Sequence, residues 1–195
     1  MTTHAATPGQ TVGPFFHYGM EFEGSTDLVP PGTPGAVRLS GRVLDGNGDP
    51  LPDALVEIWQ TDATGQVPRG RAALRRHAYR WDAPVRREGT EFTGFGRSAT
   101  TQDGEYQFWT VNPGPAAENA APFFAVVVFA RGLLNKLHTR IYLPENAEAI
   151  ASDPLLSSLD DAERATLIAS RDEAGHLRHD IRLQGEKETV FLAFK

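Results

Sequence analysis

Val37-Arg38-Leu39-Ser40-Gly41-Arg42-Val43-Leu44 alternates apolar and polar residues, then meets Asp45-Gly46-Asn47-Gly48-Asp49-Pro50 before Leu55-Val56-Glu57-Ile58-Trp59 resumes the pattern. Alternation at period two sets one face of a strand against a core and the other toward water, and the Gly, Asn, Asp and Pro cluster supplies the turn. The same grammar continues downstream. Asp103-Gly104 opens Glu105 to Val111, which stops at Asn112-Pro113-Gly114-Pro115. Phe123 to Phe129 is continuously apolar, the pattern of a strand covered on both faces. Leu137 to Leu143 alternates again, with His138, Arg140 and Tyr142 on one face and Leu137, Thr139 and Ile141 on the other. Leu177 to Leu183 and Thr189 to Phe194 are expected to pair as a final hairpin through Gly185. About seven short strands with turn signals between them predict a mainly β fold, a β-sandwich.

One or two short helices are expected, and one stands out, Ala162 to Ser170, capped by Ser158-Leu159-Asp160-Asp161 with acids in its first turn. Residues 61 to 97 read as loop, rich in Arg, Gly and Pro, and too long for a simple connection. Loops of that length usually carry function or contact a partner. At the N-terminus, Thr7-Pro8-Gly9-Gln10-Thr11-Val12-Gly13-Pro14-Phe15-Phe16-His17 holds two Gly and two Pro, which rules out an ordinary helix. Its adjacent phenylalanines ask for burial, so it reads as a stiff arm that docks elsewhere. The expected organisation is an arm over 1–35 and one β-sandwich domain over 36–195.

Composition narrows the functional classes. The chain of 195 residues carries a net charge of −6, which argues against nucleic acid as a partner. It has no cysteine, so disulfides, thiolate nucleophiles, Fe–S clusters and Cys-type zinc sites are excluded. No basic region followed by an apolar one marks a secretory leader, and the longest apolar stretch, Ala120 to Ala130, is too short to span a bilayer. A cytoplasmic protein without membrane contact is expected.

No reaction centre stands out from the residues alone. The six histidines include no His-x-His, the spacing that would put two imidazoles on one strand face. His176-x-x-His179 is the only close pair and reads as surface histidines. His77-Ala78-Tyr79 offers an imidazole and a phenolate to a ferric ion, or equally a packing contact in an Arg-rich loop. Gly94-Phe95-Gly96-Arg97-Ser98 is neither a nucleophile elbow nor a dinucleotide loop. The carboxylate pairs Asp160-Asp161 and Glu186/Glu188 sit at a helix start and a turn, where solvated charge is the default.

An ordered set of segments is more telling. Gln10 to His17, Ser40 to Gly48, Val56-Glu57-Ile58-Trp59-Gln60-Thr61-Asp62 and Gly94 to Thr101 are followed by Thr110-Val111-Asn112-Pro113-Gly114. Phe129-Ala130-Arg131-Gly132, Leu137 to Tyr142 and Gln184 to Phe191 complete the series. Together they resemble the alpha-type subunits of the intradiol ring-cleaving dioxygenase family over nearly the whole chain.

That resemblance implies a β-sandwich of the intradiol type and an assembly of alpha and beta subunits acting on an aromatic dihydroxy-acid with O₂. The implied substrate is 3,4-dihydroxybenzoate and the implied product 3-carboxy-cis,cis-muconate, within aromatic catabolism. The implied cofactor is a non-haem Fe(III), held in the partner beta subunit by two tyrosines and two histidines. Carried onto this sequence, three of those ligand positions fall on Ala116, Phe123 and Ala125, none with a donor atom, and Tyr79 lies near the fourth. The chain is therefore expected to have no catalytic residue and no metal of its own. Its implied part is to complete the partner's substrate pocket with Thr11, Gly13, Pro14 and Arg131. Arg131 reads in two ways, as a cation for the substrate carboxylate or as a rim salt bridge. A stand-alone β-sandwich binding module is the rival reading, and a homo-oligomeric dioxygenase with unusual ligands a third.

Overall fold

A computed structural model describes residues 20–70, 73–75, 85–88 and 91–193 of the chain. The fold grows outward from β1, Ala36–Leu44, as its alternating sequence predicts. One edge of β1 pairs antiparallel with β6, Glu105–Val111, over a register running from Ala36 opposite Val111 to Arg42 opposite Glu105. The other edge pairs in parallel with β10, Leu177–Arg178, and then β11, Ile181–Arg182. β9, Ser170–Arg171, closes that sheet against β10.

A second, wholly antiparallel sheet has the order β5-β2-β7-β8. Its members are β5 (Phe95–Ala99), β2 (Leu55–Trp59), β7 (Phe123–Phe129) and β8 (Leu137–Tyr142). Within the expected loop 61–97, β3, Ala73–Arg75, pairs antiparallel with β4, Arg86–Glu88, and β4 is joined to the N-terminal strap by a parallel bridge between Glu23 and Arg86. The two larger sheets face each other across Leu39, Val43 and Phe108 on one side and Val56, Ile58, Phe124, Val126 and Ile141 on the other, all essentially without solvent contact. A sandwich of this kind buries alternate residues of each strand. β7, central in its sheet, also covers part of its second face, which explains its unbroken apolar run.

β5 is a strand that the loop-like reading of 61–97 missed at its end. Its glycine signal is that of a break, yet Gly96 is there for space: a Cβ would sit 2.4 Å from Leu28 Cδ1 and 2.9 Å from Phe108 Cδ1. A glycine inside a strand often marks such a close approach.

The expected final hairpin does not form. Leu177 to Leu183 is broken into β10 and β11 at His179-Asp180, and 189–193 adds no strand. The break has a steric cause. The His179 carbonyl turns toward β1, accepts the Tyr106 hydroxyl at 2.7 Å, and lies where a Cβ on Gly41 would be, 1.6 Å away. The tail instead crosses to the other sheet. Thr189 N–H donates to Arg182 C=O at 3.0 Å, and Leu192 N–H donates to His138 C=O at 2.7 Å.

The expected helix forms with its cap inside the expected segment, at Asp160, but is shorter. α2, Asp161–Ala165, has a capping box in which Asp160 and Glu163 each accept the other's backbone N–H. It ends because Leu167 and Ala169 hydrogen-bond to Tyr142, extending the edge of β8 rather than a helix. A further helix, α1, Ala147–Ser152, starts at Asn146, whose side chain accepts from Ala149 N–H. Among the described residues no helix is long and apolar enough to cross a membrane.

Candidate functional site

The outer face of the second sheet gathers the positions singled out in the sequence. Alternation along β2, β7 and β8 points Trp59, Phe123, Ala125, Arg140 and Tyr142 to the same side, away from the core. In register, Ala125 lies opposite Trp59 on one flank and Arg140 on the other, and Phe123 lies opposite Tyr142. Ala116 approaches from the loop after β6. A cavity of about 240 Å³ is lined by Trp59, Thr61, Pro68, Thr93, Ala116 and Phe123, among others. Two of the three positions thus meet at one cavity, and the third is the cross-strand neighbour of its Trp59 wall. Phe123 and the alanines do not close the space as core: Ala116 is exposed and Trp59 is 52 % exposed.

The loops that shape this cavity are stitched to each other. Thr61 Oγ1 donates to Gly114 C=O at 2.7 Å, and Gly114 N–H donates to Asp62 C=O at 2.8 Å. The Asp62 carboxylate accepts from the Thr64 hydroxyl and from the Thr64 and Gln66 N–H groups. The Thr64 hydroxyl, first among these donors, holds the Asp62 carboxyl below its ordinary pKa. Gly65 has φ +85° and no room for a Cβ, which would lie 2.2 Å from Pro115 C=O. Behind the cavity, Trp59 packs on Phe95 with ring centres 4.5 Å apart.

Phe123 sits in a cationic rather than a metal-binding setting. The Arg140 guanidinium lies 4.1 Å from its ring centre and donates to the Tyr142 oxygen at 2.9 Å. Tyr142 donates in turn to Asp153 at 3.2 Å, and Asp153 also accepts the N–H groups of Ala121, Leu155 and Leu156. Burial, with a smaller push from Asp153 and against the pull of Arg140, raises the Tyr142 phenol to about 12. That tyrosine is a structural donor, held protonated. Among the described residues no three His, Asp or Glu side chains gather as a metal site. Among the described residues lining this cavity none is an imidazole, phenol or carboxylate, so those residues do not fit a ferric ion. His77 and Tyr79 lie outside the described residues.

The histidine pair also takes a different place from the one expected. His176 Nδ1 accepts the Arg38 N–H at 3.1 Å, and its ring meets Trp109 edge-on at 5.5 Å. His179 is buried rather than on the surface, carried inward by the break between β10 and β11. Burial pushes its pKa down to about 4, so it stays neutral.

Arg131 stands far from all of this. It follows β7 at the end opposite Phe123, eight residues away, about 25 Å at the rise of a strand. Its Nε pairs with Asp53 Oδ2 at 3.0 Å while 61 % of its side chain stays exposed. Thr11, Gly13 and Pro14 lie outside the described residues.

The profile of a family described as "Dioxygenase" matches residues 13–185. The chain belongs to the intradiol dioxygenase family. The alpha chain of protocatechuate 3,4-dioxygenase from Burkholderia cepacia is 38% identical over 207 residues, covering 98% of both chains. The beta chain of the same-named enzyme from that organism is 30% identical over 166 residues, covering 78% of this chain and 66% of its own. A solved structure with the same architecture is the dioxygenase domain of a dioxygenase–carbohydrate-binding protein fusion from Streptomyces sp. SirexAA-E. It has a TM-score of 0.55 at 25% identity and covers 91% of this chain and 96% of that one. Members of this family are non-haem iron enzymes, and the alpha and beta names describe an enzyme built from two kinds of related chain.

Trp59 was readable in the sequence only as the end of a strand. Its role as a cavity wall follows from its pairing with Ala125, which no local pattern announces.

Proposed function

We propose that this chain is the pocket-completing alpha-type subunit of an intradiol dioxygenase that acts on 3,4-dihydroxybenzoate, with the Fe(III) carried by a beta-type partner. The observation that carries this reading is the chemistry around Trp59: Ala116, Phe123 and Ala125, the positions we read as the family's ligand positions, have no donor atoms in their side chains. Similarity to alpha chains along the full length supports it. In the overall reaction both atoms of O₂ enter the product. The bond between the two hydroxyl-bearing carbons breaks, each carbon ends as a carboxylic acid, and no external reductant is consumed.

The chain's own contribution is binding and shape. The arm proper is residues 1–19, with Gly13 allowing close backbone approach, Pro14 a rigid apolar wall and Thr11 a hydroxyl at the partner's pocket, whereas residues 20–35, expected as part of the arm, lie on this chain's own body, where Leu28 enters the core. Arg131, exposed beyond its Asp53 contact, supplies a permanent cation for the substrate carboxylate. The complex works in the cytoplasm, with neither nucleic acid nor membrane as a partner.

Co-expression with the beta-type chain tests this. Iron per chain and 3,4-dihydroxybenzoate-dependent O₂ uptake are measured for each chain alone and for the pair. Iron and turnover in the mixture, with neither in this chain alone, are expected. Full iron and turnover in this chain by itself would overturn the reading and point to His77 and Tyr79.

A further inference from the structure

The Gly94-Phe95-Gly96-Arg97 segment has no part in the cavity chemistry, yet its arginine is among the most heavily engaged side chains of the outer face. Arg97 donates through Nε to Glu57 at 2.8 Å and through a second nitrogen to the same carboxylate oxygen. Its third nitrogen donates to the Met20 backbone carbonyl. Both partners of the ion pair are largely buried, with side-chain exposures of 17% and 12%. The residues after Met20 then follow the sheet edges. Ala99 N–H donates to the Glu21 carboxylate at 2.9 Å, Arg97 N–H to Ser25 C=O at 2.8 Å, and Trp109 N–H to Thr26 C=O at 2.9 Å. Leu28 plugs the core over Gly96.

We infer that Arg97, oriented by Glu57, is a positioning residue that fixes where the N-terminal arm leaves the body of the subunit. A backbone carbonyl is gripped at Met20, immediately before the strap and immediately after the arm. Only a guanidinium suits this place, since its planar fork serves a carboxylate and a carbonyl at once whereas an ammonium is a single point. Glu57 is held by its register opposite Arg97 across β2 and β5, so the anchor is tied to the rigid sheet. The inference rests on the reading of the arm as part of the partner's pocket. Misplacing such a wall by an ångström raises the cost of binding substrate without touching iron.

The test uses the reconstituted two-chain enzyme, assayed with 3,4-dihydroxybenzoate and O₂. Arg97→Met is compared with wild type in the full chain and in a chain lacking residues 1–19. In the full chain, Arg97→Met is expected to raise KM by about 10- to 100-fold with iron content unchanged. In the shortened chain the same substitution should add nothing. A nitroxide on Thr11→Cys, unique because the chain has no cysteine, should gain mobility in the Arg97→Met complex. Glu21→Ala, an exposed position, removes one strap bond without threatening the core and should give a smaller KM rise that also vanishes on the shortened chain. It carries the test if Arg97→Met fails to fold. A KM unchanged by these substitutions, or raised equally with and without the arm, overturns the inference. If shortening the chain leaves KM at its wild-type value, the reading of the arm itself falls; if shortening raises KM and the substitutions do not, only the anchor falls.

Discussion

Trp59 and Ala125 face each other across β2 and β7, and that single pairing joins the cavity wall to one of the three donor-less positions. A methyl group there leaves the indole half exposed and the space beside it open.

Restoring donors should restore metal affinity in part. Ala116→Tyr, Phe123→His and Ala125→His together are expected to bind ferric iron measurably, read as iron per chain after dialysis. Affinity should remain low while Arg140 is present, because its guanidinium lies 4.1 Å from the Phe123 ring centre and repels an incoming cation. Adding Arg140→Gln should raise the iron content further; no gain from that step would show that charge is not the obstacle.

Tyr106→Phe removes the hydroxyl that donates to the inward-turned His179 carbonyl. Leaving that buried acceptor unpaired should cost about 1–3 kcal/mol, seen as a lower urea midpoint with unchanged slope. Gly41→Ala should be worse, because its Cβ would overlap that same carbonyl.

His179 makes folding acid-sensitive. Its folded pKa, pushed by burial to about 4, lies below the ordinary value of 6.5, so the unfolded chain binds the proton more readily. The stability it allows is complete above pH 6.5 and is lost as pH falls from there toward 4. The loss over that window is roughly 3 kcal/mol, and His179→Gln should flatten it in urea titrations run at successive pH values.

Arg131 and Asp53 distinguish a rim ion pair from a substrate contact. Either residue replaced by Ala should change the unfolding free energy by no more than about 1 kcal/mol, since the pair is partly exposed. In the two-chain enzyme, Arg131→Ala should raise KM for 3,4-dihydroxybenzoate while Asp53→Ala does not. Equal KM for both variants would assign Arg131 to the rim.

Alternation in β1, β2, β6 and β8 and the apolar run of β7 were enough to read a β-sandwich from the chain, because burial on a pleated sheet imposes period two whatever the partners. The three donor-less positions were likewise legible, as residue identities need no coordinates. Other elements were decided by distant contacts. β5 hides behind Gly96, whose missing side chain admits Leu28 and Phe108. The terminal hairpin gives way because the His179 carbonyl finds Tyr106, and α2 stops early because Tyr142 recruits the backbone of Leu167 and Ala169. The fold class and the residue identities at 116, 123 and 125 are written in the chain; the meeting of Ala116 and Phe123 beside Trp59 and the grip of Arg97 on Met20 exist only once it is folded. Local patterns report which faces are apolar, whereas cross-strand register and chain crossings are settled by packing between residues far apart in sequence.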